Sequence, residues 1–398
     1  MASLSVLNIL RTIKERGSVS RTDLQQMTGL SWGTITNTTR ELLNRNLIRE
    51  EGAAVTKSGR KPVKLAINPS SHALVGVDLA PHTLKVIALN LAGETLCYEQ
   101  RDYDMGAPAN ETLDLASNML QRALDDTAVR GRMCLGVGIA AQGAIDVRTG
   151  VMRFAPRMPG WKNVAVRDHI QRRISAPVLL EHDPNCLALA ERWFGEAGAA
   201  EDVLCVNLAE GVGMGILLNG EVYRGSQELA GEFGHMTIDP EGPACACGDR
   251  GCIESYASTS ALVEGVKSRP EETSPELAGI LATRAPTVTE LIAAAAGGDL
   301  AAKYAFERMG KYLGIGMANL VDLFNPSLIV LCGPLVAARE HFMPAVQVRI
   351  DKHAWKHSCR KLLISRLGDR AVAMGACGIL LQAVFDQQLL APVELLQA

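Results

Sequence analysis

Apolar residues recur along this chain with two different periods. Over the first seventy positions the period is helical. Val6, Ile9, Leu10 and Ile13 fall on one face of a predicted helix that ends at Gly17. Ser20 is placed to cap a second helix, RTDLQQMT, which stops at Gly29, and Ser31 to cap a third, WGTITNTTRELLNRN. AAVTKSGRKPVKLAINP then alternates as two short strands around the turn Ser58-Gly59-Arg60-Lys61. Three helices and a hairpin, with Gly29 at the tight turn, predict a winged helix-turn-helix over residues 1–70. Gln25 departs from the small residue usual between the two helices of such motifs.

From residue 71 the period shortens to that of strands, interrupted by helical stretches. ALVGVDLAPHTLKVIALNLAGETLCYEQRDY alternates as a hairpin of two strands, followed by a helix (ETLDLASNMLQRALDD) and a buried strand (CLGVGIAAQG). VAVRDHIQRRISAPVLLEHD passes from helix to strand. A second round follows: EDVLCVNLAEGVGMGILLNGEVYRG in strands, helices through 260–320, the strand SLIVLCG, and helix to the end. This repetition predicts an α/β body over 71–398, built of two related lobes with a cleft between them.

Composition narrows the class. With 47% hydrophobic and 21% charged residues, the chain has a globular balance and no apolar run approaching the ~20 residues of a membrane span. Its N-terminus lacks the layout of a signal peptide, so the expected location is cytoplasmic, and the ten cysteines are expected reduced, in metal or core roles. Charge is unevenly shared. Residues 1–70 hold eleven Lys/Arg against five Asp/Glu, the remainder 29 against 38. A basic head on an acidic body predicts that only the head meets a polyanion, here double-stranded DNA. Ser31, Thr34, Thr36, Asn37 and Thr38 of the third helix are short polar groups suited to base edges or phosphates. Arg60 and Lys61 at the wing tip suit a phosphate or the narrow minor groove. One head reads only a few base pairs, which predicts a homodimer or homotetramer on paired half-sites.

The string CACGDRGC, residues 245–252, concentrates chemistry. Cys245, Cys247 and Cys252, with His235 ten positions ahead of the first, fit a metal site, a redox switch or incidental thiols.

The order of motifs resembles the ROK family (repressors, open reading frames, kinases) of the actin-like ATPase superfamily. The resemblance is carried by GVGIAAQGAID, FAPRMPGW, LLEHDPNCLALAERWFG, GVGMGILLNGEVYRGSQELAGEFGH, CACGDRGCIESYAS, NPSLIVLCG and GDRAVAMGA, spread over nearly all of 74–380. With a winged helix ahead of them, the chain is similar to the repressor branch. The family pattern, a His followed by C-x-C-G-x-x-G-C, is filled by His235, Cys245, Cys247 and Cys252, and implies one structural zinc per chain. By the same resemblance Glu232, His235 and Glu254 contact sugar hydroxyls, and Asp183 holds the place of the kinases' general base. His182 stands where the kinases carry a sugar-binding Asn. The phosphate loops depart from the kinase pattern. D-x-G-G-T is replaced by Asp78-Leu79-Ala80-Pro81-His82, and G-T-G-x-G-G-G by Ala209-Glu210-Gly211-Val212-Gly213-Met214-Gly215. Proline lacks an amide donor and Glu210 adds an anion where phosphate would approach. The implied function is a sugar-responsive transcriptional repressor without kinase activity. A bifunctional kinase with a DNA-binding head, and a ligand-blind regulator controlled by a partner protein, are the alternatives.

Overall fold

In the computed structural model, which describes residues 2–51, 55–56, 59–60, 63–129, 131–198, 200–356, 358 and 361–385, capping residues start and stop the helices of the head. The first helix is α1 (Ala2–Arg16), followed by β1 (Val19–Ser20), α2 (Arg21–Thr28) and α3 (Trp32–Asn44). Ser20 Oγ accepts from the Asp23 amide at 3.1 Å while the Asp23 carboxylate accepts from the Ser20 amide at 2.9 Å, a reciprocal capping box at the start of α2. Gly29 ends α2 in the left-handed conformation at φ 67°. Ser31 Oγ accepts from the Thr34 amide at 3.1 Å and opens α3. Ile9, Leu10, Ile13, Leu24, Ile35 and Leu42 are buried among the three helices.

The wing differs from its expected form. Strands β2 (Ile48–Glu51), β3 (Val55–Thr56), β4 (Gly59–Arg60) and β5 (Lys64–Ile67) follow α3. β5 pairs antiparallel with both β1 and β2. β3 and β4 form a smaller hairpin in which Thr56 pairs with Gly59 and Val55 with Arg60. Gly59 and Arg60 thus belong to a strand, not to the expected turn, because the ladder extends farther than alternation alone marks. Lys61 lies outside the described residues.

The chain divides into two compact units, Met1–Phe194 with Arg370–Ala398, and Gly195–Asp369. In the first, β6 (His72–Ala80), β7 (Thr83–Asn90) and β8 (Thr95–Asp102) make an antiparallel meander of three strands, one more than the predicted hairpin. Beyond α4 (Ala109–Val129), β9 (Met133–Ala141) pairs parallel with β6. Strands β10 (Ala144–Asp146), β11 (Val151–Phe154) and β12 (Lys162–Val164) form a small separate sheet. After α5 (Val166–Gln171), β13 (Val178–His182) pairs parallel with β9 and runs directly into α6 (Asp183–Phe194).

The second unit repeats this plan. β14 (Val203–Leu208), β15 (Val212–Leu218) and β16 (Glu221–Val222) form the meander. Helices α7 (Glu254–Ala257), α8 (Thr259–Lys267), α9 (Pro275–Thr283), α10 (Val288–Ala296) and α11 (Leu300–Phe324) lead to β17 (Leu328–Cys332), parallel to β14. α12 (Arg339–His353) then precedes β18 (Leu362–Ile364), parallel to β17. The two sheets, β13-β9-β6-β7-β8 and β18-β17-β14-β15-β16, have the same order and the same sense at every pairing. Finally α13 (Ala371–Phe385) returns the chain to the first unit, packed on β6, β9 and α6. Among the described residues no helix is long and apolar enough to cross a membrane.

Candidate functional site

Residues 236–253 contain no helix or strand beyond two isolated bridges, Thr237 with Cys252 and Ala244 with Arg250. The loop doubles back on itself at Gly251, whose φ is +66° and where a Cβ would lie 1.5 Å from the Asp239 carbonyl oxygen. No residue with a side chain fits there. This fold-back brings His235, Cys245, Cys247 and Cys252 together, with one ligand atom from each within 4.8 Å of all the others. Tetrahedral metal–sulfur bonds of about 2.3 Å imply sulfur–sulfur edges of about 3.8 Å. Cys247 Sγ and Cys252 Sγ are 3.7 Å apart, and Cys245 Sγ lies 3.7 Å from His235 Nδ1. Burial first, then the neighbouring sulfurs, push the Cys252 thiol up to about 12. A cation among the sulfurs reverses that penalty, because a coordinated thiol is deprotonated. The four residues can therefore hold a metal ion.

The residues flanking this knuckle are held by the sheet of the second unit. A Cβ on Gly231 or Gly234 would come 2.1 Å from the carbonyl oxygen of Met214 or Val212 on β15, so the Gly231–His235 segment lies directly against that strand. Glu232 stands between the two glycines, exposed, with its carbonyl accepting from the His235 amide at 3.0 Å. Glu254, at the start of α7, is more constrained. Its Oε2 accepts from the Val212 amide at 2.9 Å, so one carboxylate oxygen is already used to tie α7 to the β14–β15 turn. Sequence reasoning did not find that bond, which joins residues 42 positions apart. His182 and Asp183 belong to the first unit, at the junction of β13 and α6, with His182 Nε2 3.5 Å from Asp183 Oδ1. Asp183 opens α6, where a carboxylate is favoured by the helix amides.

The two turns at which the family resemblance expects phosphate loops are closed in different ways. Between β6 and β7, Ala80 pairs with Thr83, leaving Pro81 and His82 as a two-residue turn with His82 at φ 66°. Pro81 has no amide hydrogen, and the His82 amide donates to Met105 Sδ at 3.2 Å. Tyr103 Oη donates to the Ala80 carbonyl at 2.9 Å, and the Tyr103 amide to the His82 carbonyl at 2.9 Å. Below the turn, Asp78 is buried and lies 3.8 Å from Lys85 Nζ. At the other hairpin the Ala209 amide donates to Gly211 O at 3.0 Å, the Val212 amide is held by Glu254, and Glu210 is exposed.

On α3 the burial pattern sorts the predicted contacts. Ile35, Thr38, Thr39 and Leu42 form the buried stripe. Thr38, only 8% exposed, is therefore a core residue and is removed from the DNA-facing set; its spacing from Ile35 and Leu42 is that of one helix face. The Thr36 hydroxyl is buried and has no hydrogen-bond partner among the described residues, so it too points inward. Ser31 spends its hydroxyl on the cap and on Thr34 Oγ1, 2.8 Å away. Asn37 is exposed, and so is Arg40 one turn on, which the sequence reading missed although i, i+3 spacing places it beside Asn37. Trp32, 49% exposed, is a second omission. Only the backbone of Arg60 is described, as part of β4.

Comparison with known proteins fits this architecture. The ROK family model matches residues 74–383, and a winged helix-turn-helix DNA-binding model matches residues 5–49. The xylose repressor of Caldicellulosiruptor bescii is 29% identical over 385 residues, covering 96% of both chains. A solved ROK family transcriptional regulator, a homologue of the E. coli MLC protein, matches with a TM-score of 0.81 at 28% identity over 98% of both chains. ROK hexokinase from Thermus thermophilus matches with a TM-score of 0.68 at 28% identity, over 79% of this chain and 99% of its own. Since the family model spans the repeated sheets and the Cys/His knuckle alike, the chain belongs to the ROK family, and it carries a winged helix-turn-helix ahead of the family body.

Proposed function

We propose that this protein is a sugar-responsive, DNA-binding transcriptional repressor. The observation that carries the reading is the joining, in one chain, of a winged helix-turn-helix to a ROK body, matched over nearly its whole length by a relative named a xylose repressor and by a solved ROK transcriptional regulator. The metal of the knuckle is zinc. One imidazole and three thiolates fill a tetrahedral shell, so the ion has no open position for water and serves as a brace. With His235 Nδ1 on the sulfur side, Nε2 is left to meet a hydroxyl. Glu232 beside it accepts two more. In the first unit, His182 and Asp183 are assigned to sugar contact from the family resemblance, and the ligand is a sugar or a sugar derivative. For release of DNA, that ligand must bind the DNA-free form more tightly than the DNA-bound form. The test is sugar-driven loss of operator affinity.

On the DNA side, Asn37 and Arg40 present the exposed face of α3, and a homodimer or homotetramer presents paired heads to paired half-sites. Arg40→Ala is expected to weaken operator and random duplexes by similar factors and to lower the salt slope by about 1, the signature of a lost phosphate contact. Asn37→Ala is expected to cost about 1–3 kcal/mol at one operator position and little on random DNA. Titrations of both duplexes over a range of salt distinguish the two. An Arg40→Ala protein with unchanged affinity and slope would turn α3 away from the groove.

A further inference from the structure

Lys14 lies near the end of α1, one residue after Ile13 of the head's core. Its side chain leaves the head. The ammonium donates to the carbonyl of Trp193, in the last turn of α6, and sits 4.2 Å from the centroid of the Phe194 ring. Gly93, in the turn between β7 and β8, closes the seat: a Cβ there would be 2.6 Å from the Phe194 ring and 3.8 Å from Lys14 Nζ. No ion pair from Lys14 to a carboxylate occurs among the described residues. The charge is held by a helix C-terminal carbonyl and an aromatic face, both favourable partners for a cation. Burial lowers the ammonium's pKa to about 8, which leaves it charged at neutral pH.

A half-buried cation without a carboxylate partner is a costly way to fill space, and an apolar side chain of similar length would do so at lower cost. The geometry supplies another reason for it. α6 begins at Asp183 and ends at Phe194, a rod of about 18 Å. Its residues from Pro184 to Ala190 are all buried. It is locked to α13 by close approach: a Cβ on Gly375 would meet the Cys186 carbonyl oxygen at 1.7 Å. α13 is pressed in turn onto β6 and β9, where a Cβ on Gly76 or Gly138 would meet a carbonyl oxygen of α13 at 2.1 or 1.9 Å. A rod packed so closely moves as a body, since tight interfaces shift between discrete arrangements rather than deform. Its N-terminus carries a residue assigned above to the ligand, and its C-terminus carries the seat of Lys14.

We propose that Lys14 is a positioning residue that clasps the DNA-reading head to the C-terminus of α6, so that ligand binding at the Asp183 end of the rod changes the placement of the head. The clasp adds to the covalent connection between β5 and β6 and to the packing of α1 on α13, and among the described residues it alone ties the head to the end of α6 through a side-chain charge. This rests on the sugar-responsive reading above, and its test separates the two.

The full-length protein, Lys14→Met and Lys14→Arg are compared on a duplex selected from a random pool by the wild type. D-xylose, D-glucose and N-acetyl-D-glucosamine are the probes, with thermal shift and duplex affinity measured on the same samples. Lys14→Met is expected to unfold at or above the wild-type temperature, to bind the free duplex within about threefold of wild type, and to keep the wild-type thermal shift with whichever probe binds. The probe's effect on duplex affinity is expected to fall at least tenfold. Lys14→Arg, which keeps the charge, is expected to restore most of it. A merely structural Lys14 would move the melting temperature and leave the coupling intact. Wild-type coupling in Lys14→Met would overturn the clasp alone. A wild type that binds a probe yet holds its DNA unchanged would overturn the sugar-responsive reading, and the clasp with it.

Discussion

Cys247→Ser is expected to abolish metal binding and to lower the melting temperature of the second unit by roughly 8–16 °C. The wild type is expected to contain close to one zinc per chain by metal analysis, and the variant none. The size follows from what holds the knuckle. Its backbone from 236 to 253 is closed by bridges and turn hydrogen bonds such as Ile238 N–H to Gly251 O and Cys245 N–H to Asp249 O, but its sequence, MTIDPEGPACACGDRGCI, offers few apolar side chains to bury. Metal ligation is then the main force fixing it, and structural zinc contributes folding free energy directly. The unit keeps its own core around β14, β17 and α11, so the loss is partial; about 4 kcal/mol in a unit of this size corresponds to that shift. Phe233 and Ile253, buried at either end of the knuckle, transmit the damage to that core, where both meet Gly316 of α11. A wild type that is zinc-free and fully stable would remove the brace from the account.

Sugar-dependent ATP turnover is expected to be indistinguishable from background, with magnesium and a bound sugar present. Phosphoryl transfer is mostly positioning and charge stabilisation, and kinases with both loops in place run at about 1–100 per second. Here the first turn has no free amide at Pro81 or His82, and Tyr103 and Met105 occupy its remaining polar groups. At the second, Glu254 holds the Val212 amide and Glu210 stands exposed. The aspartate of the kinases' base position is present as Asp183, so the defect is expected in the loops. Glu210→Thr alone is expected to restore nothing, because the first turn stays closed. Sugar phosphate formed at kinase-like rates, and lost in Asp183→Asn, would establish a bifunctional protein.

What could be read from the chain follows how local the determinants are. Ser20, Gly29 and Ser31 act within one helical turn of themselves, and the helices of the head begin and end where they stand. The Cys/His knuckle is local in the same sense, its ligands falling within eighteen residues. The repeated order of hairpins and helices was enough to anticipate two related sheets, although β8 was absorbed into its hairpin. Long-range partners were invisible. Thr38 reads as a polar group for DNA until the head's core closes over it. Glu254 reads as a free sugar contact until Val212, 42 positions away, takes one of its oxygens. Lys14 reads as one more basic residue of the head until Trp193, 179 positions away, supplies its partner.

The proposed control of DNA binding by a sugar acts through the wall beside the knuckle. It is tested most directly by the affinity of the full-length protein for its selected operator, measured by fluorescence anisotropy with and without each sugar of a panel of monosaccharides, amino sugars and their phosphates. At least one is expected to weaken wild-type binding tenfold or more. Glu232→Gln is expected to bind operator normally and to respond far less, since the amide keeps the shape while losing charge-assisted hydrogen bonds of about 1.5–3 kcal/mol each. Glu232 is the cleaner probe, because Glu254 also holds the β14–β15 turn. A panel in which no sugar changes operator affinity, or a Glu232→Gln protein that responds as fully as the wild type, would contradict the account.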